Sequence, residues 1–208
     1  MAVITLSRQY GAGGLEIGAT LSERLGYDFV DSSLLREVAR RLEVPEEVIQ
    51  NWDERRENLV LRLFRTLQAA HPEMTAPVPL PPDATAPDPD RMVAVIRELV
   101  EEESRGDRAV IVGRGAAFIL GPRPGAHHFR LVAPRALRIA RIAERLGLTS
   151  EAAGRRVDQC DRDRIAWLKH HFGVDPTDPT HYTLVLNTGR MSTADAVGAI
   201  LRASGLDG

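Results

Sequence analysis

Short apolar runs alternate with amphipathic stretches along most of the chain. Apolar runs with β-branched residues, bounded by turn residues, are typical of buried strands, and they predict strands at residues 3–6, 27–30, 109–112, 128–132 and 183–186. Apolar positions at helical spacing predict helices at residues 15–25, 32–42, 46–70, 90–104, 134–146, 149–171 and 193–203. Strands that alternate with helices indicate βαβ units, and therefore a parallel sheet covered on both faces.

Several of these helices begin at residues that favour a helix start. Asp90 is a candidate N-cap for the helix at 90–104, and Pro134 suits the first turn of the helix that it begins. Thr149 or Ser150 can cap the long helix that follows. Residues 71–89 break the pattern, because they hold seven of the 13 prolines. Since proline removes backbone donors and blocks helix formation, we expect a flexible, exposed insert there.

Composition narrows the class of protein. The chain has 208 residues and is 43% hydrophobic, which suits one domain over residues 1–208. A net charge of -2 favours neither nucleic acid nor a membrane surface as a partner. No apolar run is long enough for a membrane helix, and the first residues lack a basic, secretory-type region, so we expect a cytoplasmic protein. Cys160 is the single cysteine and excludes an intramolecular disulfide, and no cluster typical of a metal site is evident.

A glycine-rich segment, SRQYGAGGLEIG at residues 7–18, joins the first strand to the first helix. Glycines at such a junction let the backbone approach a ligand, and the helix start adds N–H groups that attract anions. The segment therefore predicts a phosphate site, although a tight turn that merely needs glycine is the alternative. A strict Walker motif is absent, since Gly14 and Glu16 stand where lysine and a hydroxyl are expected. The candidate phosphate-binding residues are Arg8, Gly11, Ala12, Gly13, Gly14, Leu15 and Glu16.

Four segments in order resemble the cytidylate kinase-like family of P-loop proteins. They are residues 3–31 with the glycine loop, VIVGRGAAFIL at 110–120, CDRDR with WLKHHFGVD at 160–175, and HYTLVLNTGRMS at 181–192. The resemblance implies an α/β, P-loop kinase-like three-layer fold: a five-stranded parallel sheet flanked by helices, with an arginine-rich helical lid. It assigns residues 32–106 to acceptor-region helices around the insert, and residues 134–175 to the lid region.

The same resemblance implies roles for individual residues. Arg114, in a Gly-Arg pair after a strand, would hold the acceptor bidentately, and Asp31 would lie near it; the alternatives are a surface arginine and a helix cap. Asp161, Arg162 and Arg164 match the lid, where such residues contact the transferring phosphoryl group, although a solvated helix with internal ion pairs is the alternative. Arg155 and Arg156 could join them.

The chain departs from the pattern of cytidylate kinases at two places, one in the acceptor site and one in the donor site. Gly115 stands where cytidylate kinases carry an aspartate, which puts cytosine recognition in question. The chain's single lysine is Lys169, so Arg8 would lean over the phosphates instead of a loop lysine. Two functions are the main candidates, beside a non-nucleotide anion binder or an interaction protein that uses the proline-rich insert. One is a phosphotransferase that uses ATP with Mg²⁺ on a (d)CMP-like or other small acceptor. The other is a nucleotide-binding regulatory protein that is catalytically weak or inactive.

Overall fold

The computed structural model describes residues 1–31, 33–44 and 88–207. Its strands are β1 (Ala2–Arg8), β2 (Asp28–Val30), β3 (Arg108–Val112), β4 (Ala126–Val132) and β5 (Leu184–Asn187). They form one parallel sheet in the order β2-β3-β1-β4-β5. The five-stranded parallel sheet implied by the sequence is therefore confirmed.

Helices cover both faces of this sheet. They are α1 (Gly14–Leu25), α2 (Ser33–Leu42), α3 (Pro89–Glu103), α4 (Ala116–Leu120), α5 (Arg135–Leu146), α6 (Ser150–Phe172) and α7 (Thr193–Ala203). One face of the sheet packs against α2, α3 and α4 through a core that includes Val3 and Ile111. The other face packs against α1 and α7 through a core that includes Leu6 and Phe129. Successive side chains of β1 point to opposite faces and so contribute to both cores.

The strand order places a crevice at the carboxyl edge of the sheet. β1 lies between β3 and β4, with Leu6 in register with both Val112 and Phe129. In open parallel sheets, ligands bind where neighbouring strands lead to opposite faces. The glycine-rich segment follows β1 and Arg114 follows β3, so both candidate motifs lie at this edge.

Most predicted elements agree with the structure to within two residues, and the differences have local causes. The N-cap of α3 is Asp88 rather than Asp90, because Asp88 accepts a hydrogen bond from the Asp90 amide at 3.1 Å and Pro89 takes the first helical position. Pro134 is the N-cap of α5 rather than a residue of its first turn. Thr149, rather than Ser150, caps α6.

The sequence missed one helix of the structure, and one predicted helix lies where the structure gives no description. The short helix α4 was not predicted, since its five residues lie between glycines and are too few to show a period. The predicted helix at 46–70, and all but the last two residues of the proline-rich stretch, lie outside the described residues. Among the helices that are described, none combines the length and apolar character that crossing a bilayer requires.

Candidate active site

A cavity of about 1190 Å³ opens at the carboxyl edge of the sheet. The glycine-rich segment forms one wall, and α5 and α6 supply arginines to another. This volume exceeds that of a typical small-molecule pocket, so it has room for two ligands side by side. The sequence-predicted residues that line it are Arg8, Gly11, Ala12, Gly13, Gly14, Leu15, Glu16, Asp31, Arg114 and Arg164.

The glycine loop, residues 8–14, turns the chain from β1 into α1. Gly11 and Gly13 have φ angles of 82° and 79°, in the left-handed region that glycine adopts without strain. A side chain at Gly11 would also meet the backbone of Arg138 at 3.0 Å. No side chain caps the start of α1 at Gly13. The first amides of α1 therefore remain available to an anion in the cavity.

Arg8 takes the space that a side chain at position 14 would need. A Cβ placed on Gly14 would lie 3.1 Å from Cγ of Arg8, and one placed on Gly113 would collide with the Arg8 guanidinium. Arg8 thus runs across the loop toward the end of β3. Lys169 lies 4.0 Å from Asp175 and does not line the cavity, so the cationic groups on the cavity wall are arginines.

Asp161 binds the glycine loop rather than facing the cavity. Its Oδ1 accepts from the Tyr10 amide at 2.8 Å, and its Oδ2 accepts from Nη1 of Arg138 at 2.6 Å. Arg138 is buried and also donates to the carbonyl oxygens of Ala133 and Tyr10, each at 3.0 Å. Sequence reasoning missed Arg138. The sequence does indicate its position, because Arg138 precedes Ile142 by four residues and therefore lies on the same, buried face of α5.

Of the arginines predicted in the lid, two line the cavity and two point into solvent. Arg162 is exposed, donates to Gln159 at 2.9 Å and does not line the cavity. Arg164 does line it, and its guanidinium lies over the Tyr10 ring at 5.3 Å. Arg155 is paired with Glu151 in solvent, whereas Arg156 faces the cavity. The cavity-facing side of α6 consists of Arg156, Cys160, Asp163 and Arg164, at helical spacing.

Helix α5 supplies two more arginines that sequence reasoning did not identify. Arg141 donates to the Gly11 carbonyl at 3.4 Å and to the Thr188 carbonyl at 3.1 Å, and the Thr188 hydroxyl donates to the Ala12 carbonyl at 3.0 Å. Arg145 donates to the Tyr10 hydroxyl at 3.3 Å. Both arginines line the cavity. Arg141 and Arg145 follow Arg138 by three and seven residues, so the sequence already places all three arginines on one side of the helix.

The predicted acceptor residues lie on the β2 and β3 side of the cavity. Oδ1 of Asp31 accepts from the Ser33 amide at 3.2 Å, so this carboxylate caps the start of α2 and lines the cavity as well. Arg114 has a φ of 58°, a left-handed conformation that costs a non-glycine residue about 1–3 kcal/mol. Strain of this kind is concentrated at functional sites, which supports a role for Arg114 in the cavity.

A side chain at Gly115, where the resemblance places an aspartate, would be crowded by aromatic rings. The φ of Gly115 is 69°, and a Cβ there would lie 3.0 Å from Cε2 of Phe172 and 3.2 Å from Cζ3 of Trp167. The two rings come from the end of α6 and meet edge to face, with centroids 5.5 Å apart. Aromatic rings therefore fill the space beside Gly115.

Carboxylates on the cavity wall are the groups that could contact a cation brought in by a nucleotide. Glu16 accepts from the Thr193 hydroxyl at 2.7 Å through one oxygen, and Asp31 accepts from Ser33 through one oxygen. Carboxylate oxygen is the ligand type that Mg²⁺ prefers, usually together with phosphate oxygens. Within residues 1–31, 33–44 and 88–207, no group of three or more His, Cys, Asp or Glu side chains could hold a metal ion by itself.

This chain is similar to known proteins both in sequence and in fold. A cytidylate kinase from Methanopyrus kandleri is 34% identical over 125 residues, which are 56% of this chain and 64% of that enzyme. The chain thus matches slightly less than two thirds of the length of that curated relative. Among solved structures, an uncharacterized protein from Eubacterium ventriosum superposes with a TM-score of 0.70 at 16% identity, covering 99% of both chains.

A second solved structure extends the fold comparison to a known kinase. Shikimate kinase from Bacteroides thetaiotaomicron has a TM-score of 0.52 at 15% identity and covers 97% of both chains. These structural matches identify the P-loop kinase-like fold. The sequence itself matches the model of the cytidylate kinase-like family over residues 3–190, which is most of its length. The chain therefore belongs to the cytidylate kinase-like family.

Proposed function

We propose that this protein is a phosphotransferase that moves the γ-phosphoryl group of ATP, bound with Mg²⁺, to a small anionic acceptor. The observation that supports this function best is the convergence of a glycine loop and of arginines from several elements on one cavity. Phosphoryl transfer needs little covalent chemistry from a protein. It needs two substrates held in line and positive charge where the transferring group develops negative charge.

The donor triphosphate would lie on the glycine loop. The first amides of α1 would donate to its oxygens. Arg8, whose side chain crosses the loop and whose guanidinium lies beside Gly113, would contact the terminal phosphate on the acceptor side, in place of a loop lysine. Mg²⁺ would enter with ATP, and the carboxylates of Glu16 and Asp31 lie on the wall of the same cavity. Because the guanidinium is planar and always charged, Arg8 can bind two phosphate oxygens at once.

The acceptor would lie beside Asp31 and Arg114. Arg114 would bind its anionic group, and Asp31 would accept a hydrogen bond from it. Arg164, with Arg156, would contact the phosphoryl group in transfer, since both project into the cavity from α6. The catalytic roles of Arg162 and Asp161 stay predictions. The contacts of Asp161 with Tyr10 and Arg138 favour a positioning role for its carboxylate.

A (d)CMP-like acceptor is one candidate within this proposal. The relative from Methanopyrus kandleri carries the name cytidylate kinase, which supports it. The rings that fill the space beside Gly115 argue for a different way of recognising the base, or for another small acceptor. The family relationship supports a small-molecule acceptor. That the enzyme is cytoplasmic and uses neither nucleic acid nor a membrane stays a prediction from the sequence.

A second candidate function is nucleotide binding without turnover, for regulation. Two features favour it. No lysine lines the cavity, and the first turn of α1 carries an apolar residue, Leu15, which is 47% exposed. Removal of one strong transition-state contact commonly lowers the rate by about 10²–10³-fold. The two candidates differ in catalysis and not in nucleotide binding, so a turnover assay separates them.

The test is ADP release from Mg-ATP with CMP, dCMP, UMP, AMP and GMP supplied separately, and with a control lacking acceptor. We expect acceptor-dependent turnover that falls by about 10²–10³-fold in Arg164→Ala. The matched control is Arg24→Ala, which removes an exposed arginine at the far end of α1 and should leave the rate unchanged. Nucleotide binding without turnover on any acceptor would instead favour the regulatory candidate.

A further inference from the structure

Tyr10, in the glycine loop, contacts both α5 and α6. Its backbone N–H donates to Oδ1 of Asp161 at 2.8 Å, and its carbonyl oxygen accepts from Nη1 of Arg138 at 3.0 Å. The same Nη1 binds Oδ2 of Asp161 at 2.6 Å, so these groups close a small hydrogen-bonded ring. The side chain of Arg138 is 6% exposed and that of Asp161 is 19% exposed. Partly buried, charge-assisted bonds of this kind help to hold a backbone segment in place.

The side chain of Tyr10 contacts two arginines of the cavity wall. The guanidinium carbon of Arg145 lies 5.6 Å from the ring centroid, and that of Arg164 lies 5.3 Å from it. Arg145 also donates to the Tyr10 hydroxyl at 3.3 Å. Both distances suit a cation–π contact. One arginine belongs to α5 and the other to α6, so a single ring joins the cationic groups of two helices.

These contacts have a direct electrostatic consequence. Two guanidinium groups that share a cavity repel each other, and long side chains lose conformational freedom when they are held in place. A ring that attracts both groups reduces these costs before any ligand binds. Because Asp161 and Arg138 hold the backbone of Tyr10, they fix the point from which its side chain projects toward the two arginines.

We propose that Tyr10 is a positioning residue that prepares Arg145 and Arg164 for a chain of phosphate groups on the glycine loop. The ring orients the two guanidinium groups, and the Asp161–Arg138 pair orients the ring through the backbone. This inference rests on the proposed function in that the phosphate chain would be the triphosphate of ATP. It concerns the anion site itself, however, so inorganic tripolyphosphate can test it without reference to nucleotide or turnover.

The first experiment measures tripolyphosphate binding by calorimetry in wild type, Tyr10→Leu and Tyr10→Phe. Leucine removes the ring, so we expect the affinity to fall by about tenfold. Phenylalanine keeps the ring and removes the hydroxyl, so it should restore the affinity to within about threefold of wild type. The matched control is Tyr27→Leu, because Tyr27 makes the same kind of contact, with Arg108 at 5.8 Å, outside the cavity.

The second experiment tests the backbone contacts and needs no ligand. Hydrogen exchange at the Tyr10 amide should become faster in Asp161→Asn, because the charged acceptor of that amide is weakened. Asp158→Asn is the control: Asp158 also joins α6 to α5, through Arg135 at 2.7 Å, but the hydrogen bonds of that pair do not involve the loop. It should leave the exchange of the Tyr10 amide unchanged.

The outcomes separate this inference from the proposed function. Tripolyphosphate binding that depends on the Tyr10 ring, together with no binding of Mg-ATP, would overturn the proposed function and support the positioning role. Equal affinities in wild type and Tyr10→Leu would overturn the positioning role. Wild type that binds neither tripolyphosphate nor Mg-ATP would overturn both. An equal loss in Tyr10→Leu and Tyr27→Leu would also contradict the inference, since it would reflect a general loss of stability.

Discussion

Replacing Gly115 by alanine is expected to cost more stability than the same change at Gly147. The two glycines have similar left-handed backbones, with φ and ψ of 69° and 12° at Gly115 and of 62° and 33° at Gly147. Their surroundings differ. A Cβ at Gly115 would lie 3.0 Å from a ring carbon of Phe172, whereas a Cβ at Gly147 would meet no heavy atom within 4 Å.

The expected magnitudes follow from this geometry. The left-handed conformation costs alanine about 1–2 kcal/mol at either site. The smaller conformational freedom of unfolded alanine, about 0.4–1 kcal/mol, offsets part of that cost equally at both. Only Gly115→Ala also presses a methyl group into packed rings, which costs about 1–3 kcal/mol. The two variants should therefore differ by about 1–3 kcal/mol, which corresponds to about 2–12 °C in Tm for a chain of this size.

Urea and thermal unfolding, followed by circular dichroism, measure this difference. Gly115→Asp should be less stable than Gly115→Ala, because it also forces a carboxylate against the rings of Phe172 and Trp167. In a Phe172→Leu background, Gly115→Ala should lower the stability by less than it does in wild type, since the smaller side chain leaves room for the methyl group. Equal losses at Gly115 and Gly147 would refute the reasoning, and the space beside Gly115 would then be open to an acceptor.

The remaining predictions concern one histidine and one threonine. His128 is buried between the Thr5 hydroxyl at 2.7 Å and the Gly121 carbonyl at 2.8 Å, and burial lowers its pKa. The unfolded chain therefore takes up the proton first, so stability should be highest above about pH 6.5 and should fall as the pH drops below it. Urea unfolding at pH 5.5 and 7.5 checks this, and a His128→Gln variant that keeps the full pH dependence would contradict it. Thr188→Val removes the donor to the Ala12 carbonyl and should cost about 1–3 kcal/mol in thermal unfolding, while Thr188→Ser should cost less; equal losses would contradict the role of the hydroxyl.

The strands and most helices were predictable because their signals are local. β1 and β3 are short apolar runs that end in turns, and α2, α3 and α7 carry apolar stripes, whereas β4 and α6 are more polar. The start of α3 was placed at the wrong aspartate because Asp88 and Asp90 are both good caps, and Pro89 between them decides for Asp88. The helix α4 was missed because five residues do not show a helical period.

The glycine loop was also predictable, since all its residues are contiguous in the sequence. The partner of Asp161 was not, because Tyr10 lies 151 residues away and meets it only after α5 and α6 pack against the loop. The role of Arg138 depends on the same packing. The rings beside Gly115 illustrate the same limit, since the sequence showed that an aspartate was missing there but not what had taken its place.

The most direct test of the central claim, that a lysine-free glycine loop binds the triphosphate of ATP, is calorimetric titration of wild type, Arg8→Ala and Arg24→Ala with Mg-ATP. We expect wild type and Arg24→Ala to bind with the same affinity. We expect Arg8→Ala to bind about 10–100-fold more weakly, because a charged hydrogen bond to phosphate contributes about 1.5–3 kcal/mol. Unchanged affinity in Arg8→Ala would contradict the assignment of Arg8 to the phosphates, and absence of binding in wild type would contradict the claim as a whole.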